Sequence, residues 1–415
     1  MQTNRRFFLR NGALAVAGTA ALPSFLVRSV LAQTASPSRG RLVAIFQRGA
    51  ADGLNVVVPY REKNYYTMRP TIGIPANQAL DLDGFFGLHP SLASFKPLYE
   101  RGQLAIVHAA GSPDMSRSHF DAQDYMESGT PGIKSTPDGW LNRALQAEDL
   151  RHPCEHTAFR ALALGSQVPL TLEGKIPALA LGNVNNFAVG GHVEAPVSPA
   201  ASAFQAMYSE SGDSILHATG EETFEAVKML RAADPGQYSP AAGVDYPNSP
   251  FGNNMKQIAQ LLKANLGVEA AFTDVSGWDT HQNQGGVEGQ LSNRLRDFSD
   301  SIAAFWRDMG DGAEDVTLVT MSEFGRTARQ NGTGGTDHGH ANAMFVLGGR
   351  VTGGKVYGRW PGLADHQLNE GRDLAVTTDF RAVLGEVVSK SIGASNFELV
   401  FPGARLDTGR FLHLA

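Results

Sequence analysis

Acidic and imidazole side chains gather in two short segments of the C-terminal half of the chain. In the first, Asp279 and His281 lie two residues apart, so in an extended chain both side chains point to the same side. The second segment, 334–341, holds its candidate ligands between glycines: Asp337, His338 and His340. Because carboxylate oxygens and imidazole nitrogens bind divalent ions, these segments predict a metal site. The alternative for the segment with Asp279 and His281 is a polar loop with a helix cap, and the alternative for 334–341 is a histidine-rich surface loop.

Two more carboxylates follow predicted strands and extend this set of candidate ligands. Asp52 lies in a glycine-bearing loop a few residues after a predicted strand at 42–46, and Glu323 follows one at 316–321. Turn aspartates are common, so Asp52 alone is also consistent with ordinary turn chemistry. Together with the segments above, both carboxylates are predicted to contribute to one metal site.

A serine-rich segment after a predicted strand at 104–107 supplies a candidate nucleophile. Ser116 or Ser118 suits the N-cap of the helix that follows. A hydroxyl there lies beside free N–H groups that suit an anion, and a nearby metal ion would activate it. Arg117 and His119 complete this candidate catalytic set. The alternative is an ordinary capping serine.

Short apolar runs alternating with amphipathic segments predict the elements that position these residues. Strands are predicted at 42–46, 104–107, 161–164, 178–181, 268–273, 316–321 and 343–347. Helices are predicted at 255–266, at 287–309 and within 375–388. This alternation indicates an α/β fold, with a mostly parallel sheet covered by helices on both faces. Such sheets bind ligands at the carboxyl ends of their strands, where Asp52, the segment 116–121, the Asp279–His281 pair and Glu323 fall.

The first 32 residues predict an export signal. Arg5 and Arg6 precede an apolar run over 12–27, which is shorter than the roughly 20 residues of a membrane span. This pattern is typical of a twin-arginine signal peptide, so the twin-arginine export machinery is an expected partner. We expect residues 1–32 to be removed, 33–40 to form a linker and the mature protein to be periplasmic or secreted. No later stretch predicts a transmembrane span.

The amino-acid composition limits the kinds of molecule that the protein is expected to bind. The formal net charge is −6, and removing the four arginines of the signal lowers it to −10. This acidity argues against a nucleic-acid partner. The single cysteine, Cys154, excludes an internal disulfide. Residues 41–415 are predicted to form one domain, with a loop-rich insertion over 130–250.

The mature chain resembles the bacterial DUF1501 family over nearly its whole length. The segments that carry the resemblance are Phe46 to Tyr60, Phe86 to Pro90, Arg117 to Gly129, Gly139 to Arg143, Gly277 to Gln284, Ser322 to Thr327 and Gly335 to Ala341. This family looks like a remote member of the alkaline phosphatase and sulfatase superfamily, so the resemblance implies an alkaline-phosphatase-like fold.

The superfamily resemblance implies roles for the candidate residues. Asp52 corresponds to the first metal ligand and Ser118, or Ser116, to the nucleophile. The other ligands implied are Asp279, His281, Glu323 and either His338 or His340, with Asp337 nearby.

Two departures from the superfamily pattern stand out. Phe324 occupies the position of a histidine, which implies that one of two metal sites is altered or absent. The Cys-x-Pro-x-Arg signature of sulfatases is missing, because Cys154 is followed by a different sequence.

The leading hypothesis is an exported metal-dependent hydrolase of phosphate or sulfate esters. Zn²⁺ is the preferred ion, with Ca²⁺ or Mn²⁺ as alternatives, and a serine or water is the nucleophile. Arg117, Arg48 or Arg326 is expected to pair with the anionic ester. The alternative is a catalytically degenerate exported protein that binds a polysaccharide or a protein partner on the same fold.

Overall fold

A computed structural model of the chain describes residues 40–153, 156–184, 229, 237–406, 409 and 411–414. The predicted signal peptide, the linker up to residue 39 and Cys154 lie outside these residues, so the predictions about them stay predictions. Within the described ranges, no helix has the length and apolar character needed to cross a membrane.

The described strands are short and number twelve in chain order. They are β1 (Arg41–Arg48), β2 (Val57–Val58), β3 (Leu80–Asp81), β4 (Gly87–Leu88), β5 (Leu104–Gly111), β6 (Ala161–Leu164), β7 (Leu179–Leu181), β8 (Ala270–Ser276), β9 (Val316–Met321), β10 (Asn342–Gly348), β11 (Lys355–Tyr357) and β12 (Thr378–Asp379).

The described helices vary from single turns to a helix of 20 residues. They are α1 (Gly53–Val56), α2 (Lys63–Met68), α3 (Lys96–Glu100), α4 (His119–Ser128), α5 (Trp140–Arg151), α6 (Pro250–Lys263), α7 (Gln290–Met309), α8 (Phe380–Ser391) and α9 (Phe397–Val400). Short 3₁₀ segments connect several of these elements.

A nine-stranded sheet in the order β11-β5-β10-β9-β1-β8-β6-β7 forms the centre, with β12 beside β5. Its strand pairs are parallel except those of β10, which runs antiparallel to both β5 and β9. The loop between β9 and β10 contains no helix, so the chain returns beside β9 in the opposite direction. The predicted α/β class with a mostly parallel sheet is confirmed.

Apolar side chains cover both faces of this sheet. Along β1, Val43 and Ile45 pack with α6 and α7 on one face. The alternate residues Leu42 and Phe46 pack with α5 and α8 on the other face. Full burial of one such side chain stabilises the fold by about 1.5–3 kcal/mol. The alternation explains why the strand reads as a continuous apolar run.

The described part of the region 130–250 contributes to the central sheet, in line with the predicted strands at 161–164 and 178–181, and the loop-rich insertion over 130–250 stays a prediction. Its described part supplies α5, β6 and β7, and β6 pairs with β8. Most of residues 185–236 lie outside the described part of the chain.

Strand direction brings the candidate loops to one edge. β1, β8 and β9 are mutually parallel, and β5 runs the same way because β10 is antiparallel to both β5 and β9. The carboxyl ends of these four strands therefore meet at the same edge of the sheet. The start of β10 lies there as well, which places the segment before it beside the other loops.

Candidate metal centre

Two histidines and an aspartate from three distant segments meet at this edge. His119 is the first residue of α4, Asp279 follows β8, and His338 lies in the loop between β9 and β10. One ligand atom from each lies within 4.8 Å of the others. The Nε2 atoms of His119 and His338 are 3.0 Å apart. Oδ1 of Asp279 is 3.4 Å from Nε2 of His338, and Oδ2 is 3.6 Å from Nε2 of His119.

His281 adds a third imidazole beside this group. Its Nε2 lies 3.0 Å from Nε2 of His338 and 3.0 Å from Oδ1 of Asp279. We name His119, Asp279, His281 and His338 the histidine–aspartate cluster. The structure thus brings together both residues of the predicted Asp279–His281 pair and one of the two candidate histidines after it.

The Nδ1 atom of each imidazole contacts an oxygen atom of another residue. Nδ1 of His119 lies 2.8 Å from the Glu323 carboxylate, and Nδ1 of His281 lies 3.0 Å from that of Asp337. Nδ1 of His338 lies 2.9 Å from the carbonyl oxygen of Arg117. Carbonyl and ionised carboxylate oxygens only accept, so each Nδ1 donates and each neutral ring presents an Nε2 lone pair. The lone pairs of His119 and His338 therefore face the Asp279 carboxylate, and that of His281 faces His338 and Asp279.

This donor set fits a divalent metal ion. In a tetrahedral zinc site with bonds of about 2.0–2.1 Å, ligand atoms are separated by roughly 3.3 Å, close to the distances found here. Carboxylate or carbonyl acceptors on the outer ring nitrogens are the usual second layer of such sites. The side chains of His119 and Asp279 are 24% and 42% exposed, so one side of the cluster faces solvent. A water or substrate can therefore reach it.

Burial and neighbouring groups shift the pKa values of the cluster in different directions. The hydrogen bond with Glu323 raises the pKa of His119, although burial opposes the charged form. Burial lowers the pKa of His338. Burial alone would raise the pKa of Asp279, but Arg326, whose Nη1 lies 2.6 Å from Oδ1, together with His281 and His119 outweighs it, and the pKa is lowered. Asp279 is thus held as a carboxylate.

Glu323 supports the cluster instead of belonging to it, although we expected a direct ligand. Its buried carboxylate accepts hydrogen bonds from the backbone amides of Gly49 and Ala50, at 2.8 and 3.0 Å, and from the Gln123 side chain at 2.8 Å. These contacts and the one to His119 engage both oxygens. Burial opposes ionisation of Glu323, but the hydrogen bonds outweigh it and lower the pKa.

Asp52 also lies outside the cluster, contrary to the ligand role that we expected. Both of its oxygens accept hydrogen bonds from the Arg69 guanidinium, at 2.6 and 2.9 Å. Oδ2 also accepts one from the Gln284 side chain at 2.7 Å. Arg69 and Asp52 are both buried, so this pair is an internal ion pair. The Gln284 contact joins the start of α1 to the loop that carries His281.

The remaining predicted ligands lie near the cluster without joining it. Nε2 of His340 contacts the carbonyl oxygen of Ser112 at 2.8 Å, which leaves His338 as the histidine of this segment in the cluster. Asp337 contacts Nδ1 of His281 and also accepts from Asn331 at 3.1 Å. Asp337 therefore orients the His281 imidazole and is not part of the histidine–aspartate cluster.

The two candidate serines lie in the turn before α4. Ser118 is the N-cap of α4, and its hydroxyl accepts from the Asp121 amide at 3.5 Å. The Ser116 hydroxyl accepts from the Ser118 amide at 3.2 Å. Ser118 is exposed and directly precedes His119.

The three candidate arginines are paired with carboxylates. Nη2 of Arg117 contacts Glu370 and Asp373, at 2.6 and 2.7 Å. Arg48 pairs with Asp274 at 2.5 Å and with Glu127 at 2.9 Å, and Arg326 pairs with Asp279. The expected role of binding the ester anion does not fit these partners. Instead, Arg117 presents its backbone carbonyl to His338 and Arg326 supports Asp279.

Phe324 covers one side of the cluster. Its ring centre lies 4.9 Å from that of His119 and 5.0 Å from that of His338, and the residue is buried. An apolar ring at this position offers no ligand for a second ion there.

His119 was not predicted as a metal ligand. The sequence instead placed it in the candidate catalytic set with the neighbouring serines. The available signal was a histidine at the first position of a helix that follows a strand of the sheet. Gln123, one helical turn later, had no predicted role, because its contact with Glu323 depends on tertiary structure.

A second group of ionisable residues, Glu148, Asp149 and His156, also has ligand atoms close together. Arg160 lies among them, with its guanidinium 3.2 Å from Glu148 and 2.7 Å from Asp149. Glu269 contacts His156 at 3.0 Å. The Arg160 guanidinium is thus already paired with these carboxylates, so this group is an ion-pair network.

Fold and cluster together define an α/β protein with a histidine–aspartate site at the carboxyl edge of a mostly parallel sheet. The chain belongs to the family described as protein of unknown function DUF1501, which matches residues 39–398. The family predicted from the quoted segments is thereby confirmed. No curated protein is similar to the sequence.

Several crystal structures are similar to the chain at low identity. The C-terminal periplasmic domain of EcEptC from Escherichia coli, in complex with Zn, has a TM-score of 0.35 and 10% identity, covering 75% of this chain and 73% of that one. A protein in the alkaline phosphatase superfamily from Vibrio parahaemolyticus has a TM-score of 0.32 and 10% identity, covering 76% and 61%. The PsFucS1 sulfatase from Pseudoalteromonas sp. has a TM-score of 0.33 and 13% identity, covering 81% and 68%.

Proposed function

We propose that the protein is a metal-dependent hydrolase of phosphate or sulfate esters that uses one divalent ion. His119, Asp279 and His338 would hold the ion, and His281 flanks it. The observation that carries this proposal is the convergence of imidazole lone pairs on a carboxylate. Lone pairs held 3.0 Å apart repel one another unless a cation or a proton lies between them.

The ligand types favour zinc among the candidate ions. Imidazole nitrogens suit Zn²⁺, whereas Ca²⁺ takes six to eight oxygen ligands, and Mn²⁺ also favours oxygen. When bound, such an ion supplies a Lewis acid for an ester oxygen and lowers the pKa of a bound water. An alkaline-phosphatase-like chemistry is consistent with this arrangement, and Phe324 argues for a single ion.

The surrounding side chains prepare the site for this chemistry. Glu323 and Asp337 hold His119 and His281 in one tautomer and one orientation. Arg326 keeps Asp279 ionised. The nucleophile is a water or the exposed hydroxyl of Ser118, which lies beside the ligand His119 at the start of α4. An anionic ester would reach the ion from the solvent-facing side.

The proposed site of action is outside the cytoplasm. Arg5, Arg6 and the apolar run that follows them support export by the twin-arginine machinery, which carries folded proteins. A metal ion acquired before export would then be retained. Replacing both arginines by lysine should leave the precursor in the cytoplasm, and normal export of that variant would contradict this route.

The hydrolase proposal is tested with 4-nitrophenyl phosphate and 4-nitrophenyl sulfate. The zinc-loaded wild type should turn over at least one of them, and Asp279→Ala and His338→Ala should lose that turnover. His366→Ala, which changes an exposed histidine outside the cluster, is the control and should keep it. Equal turnover in all four proteins would indicate a contaminating enzyme and contradict the proposal.

A second candidate function is metal-dependent binding without turnover. It is favoured by the pairing of Arg48, Arg117 and Arg326 with carboxylates, which leaves none of these guanidinium groups for the ester anion. Binding of phosphate or sulfate esters that depends on zinc and on Asp279, with no hydrolysis of either aryl ester, would support this candidate over the hydrolase.

A further inference from the structure

One carboxylate oxygen of Glu323 contacts two side chains of α4. Oε1 of Glu323 lies 2.8 Å from Nδ1 of the candidate ligand His119 and 2.8 Å from Nε2 of Gln123. His119 and Gln123 are four residues apart, so their side chains lie on the same face of the helix. The first two turns of α4 are therefore attached to Glu323 at two successive points.

The orientation of the Gln123 amide is fixed by a partner on each side. Nη1 of Arg48 lies 3.0 Å from Oε1 of Gln123. A guanidinium group only donates, and an ionised carboxylate only accepts, so Oε1 accepts from Arg48 and Nε2 donates to Glu323. The reversed amide would place donor against donor and acceptor against acceptor. Both contacts therefore favour the same orientation.

Arg48 is itself held by two carboxylates. Its Nε donates to Asp274 at 2.5 Å, and its Nη2 lies 2.9 Å from Oε1 of Glu127. Glu127 is a buried residue of α4, and its Oε2 accepts from the amide and the hydroxyl of Thr171 at 3.0 and 3.1 Å. These contacts join the end of β1 to β8 and to α4. The group that orients Gln123 is thus anchored to the sheet.

The start of α4 depends on these side-chain contacts for its position. The first backbone N–H groups of a helix have no partner within the helix. The capping hydroxyl of Ser118 accepts from the Asp121 amide at 3.5 Å, which is long against the usual 2.9–3.0 Å or so. The contacts of His119 and Gln123 with Glu323 are shorter. They therefore determine where the first turn of α4 lies.

Gln123 is placed to act through Glu323 and not on the ion or the ester. Both polar atoms of its amide have protein partners, and the side chain is half-buried. The Glu323 carboxylate lies between this amide and the His119 imidazole. Gln123 is therefore neither a ligand nor a catalytic residue.

We propose that Gln123 is a positioning residue of the metal centre. It fixes the Glu323 carboxylate and the start of α4, so that Nε2 of His119 faces Asp279 and His338. This inference rests on the proposed function, because the ion would lie at these atoms. Loss of the Gln123 amide should weaken metal binding although the amide does not touch the metal.

The test measures zinc affinity, by competition with a chelating dye, for the wild type, Gln123→Met, Glu323→Gln and the double variant. Methionine has a similar length and removes both hydrogen-bonding groups. Gln123→Met should weaken zinc binding about three- to tenfold, the range that one hydrogen bond contributes. Because both substitutions act on the same contact, the double variant should lose less affinity than the product of the two single losses.

A matched glutamine and a second variant control for changes in folding. Gln146→Met changes a glutamine of α5, a helix that contributes no residue to the cluster, and should leave zinc affinity unchanged. Thermal unfolding of the metal-free proteins shows whether each variant is folded. If Gln123→Met does not fold, Gln123→Asn replaces it, because the shorter side chain cannot contact Arg48 and Glu323 together.

The outcomes separate this inference from the proposed function. A wild type that binds zinc, with unchanged affinity in the folded Gln123 variant, would overturn the inference and retain the metal centre. Single losses that multiply in the double variant would also overturn it, since Gln123 would then act independently of Glu323. A folded wild type that binds no zinc would overturn both the inference and the proposed function.

Discussion

The Nε2 atoms of His119 and His338 lie 3.0 Å apart, while their Nδ1 atoms contact the Glu323 carboxylate and the Arg117 carbonyl. The outer contacts place a proton on each Nδ1, so in the neutral rings the facing nitrogens are two lone pairs. Asp279 brings a negative charge to the same place, and His281 adds a third imidazole beside His338 and Asp279. A cation at their centre accounts for this arrangement, and the predictions below follow from it.

Replacing Glu323 by glutamine should weaken metal binding. The amide carries no negative charge to support the Nδ1 proton of His119, and loss of such a partner typically costs 10- to 100-fold in metal affinity. Zinc affinity is measured by competition with a chelating dye. Glu370→Gln changes an exposed carboxylate that pairs only with Arg117 among described basic side chains, and serves as control. Equal affinities in wild type and Glu323→Gln would contradict the supporting role.

Gly49 should be required for the position of Asp279. Its φ of 115° lies in the region that favours glycine, and a Cβ atom there would be 2.8 Å from the Asp279 backbone nitrogen. Gly49→Ala should therefore displace the aspartate loop and lower zinc affinity by about tenfold or more, as changes that disturb ligand orientation do. The measurement is zinc affinity together with thermal unfolding of the metal-free protein. An unchanged affinity would show that the loop tolerates the Cβ atom.

Asp52→Ala should reduce stability and leave metal binding unchanged. The substitution leaves the buried Arg69 guanidinium without its carboxylate, and removing one partner of a buried ion pair costs about 3–5 kcal/mol. Urea unfolding measures the loss, and Asp311→Ala, at an exposed aspartate, should change stability by less than about 0.5 kcal/mol. Loss of bound zinc at unchanged stability would instead restore Asp52 as a ligand.

Much of the fold could be predicted because strands and helices produce patterns of apolar residues within short stretches of the sequence. The apolar runs predicted β1, β5, β8 and β9, and the three- and four-residue spacing from Leu291 to Met309 predicted α7. The antiparallel direction of β10 was missed. It depends on the absence of a crossover helix between β9 and β10, a feature that apolar periodicity does not report.

The site could be predicted only in part, for a physical reason. Residue type and position after a strand identified Asp279 and His281, because these features belong to the residue itself. The histidine-bearing segment before a predicted strand supplied His338, with His340 as its alternative. The pairing of Asp52 with Arg69 and of Glu323 with the Gly49 amide depends on contacts between distant segments. Such contacts decide whether a carboxylate faces a metal ion or a protein donor, and sequence pattern does not record them.

Acidification should destabilise the protein partly through His108. Burial lowers the pKa of His108 to about 4, against about 6.5 for an exposed imidazole. A lowered folded-state pKa gives stability that is complete above about pH 6.5 and is lost as the pH falls towards about 4, amounting to about 3 kcal/mol.

The His108 prediction is tested by urea unfolding of metal-free protein between about pH 7 and pH 4.5. His108→Gln should lose less stability than the wild type over this interval, because the variant has no imidazole to protonate. His366→Gln, at an exposed histidine, should follow the wild type. Parallel pH profiles for wild type and His108→Gln would disprove the contribution of His108.

The central claim is tested most directly by the metal content of the mature protein after zinc loading and gel filtration. We predict about one zinc ion per chain in the wild type and in His366→Ala, and loss of that ion in His119→Ala and in His338→Ala. A folded wild type that retains no zinc, calcium or manganese, or variants that retain as much zinc as the wild type, would contradict the metal centre.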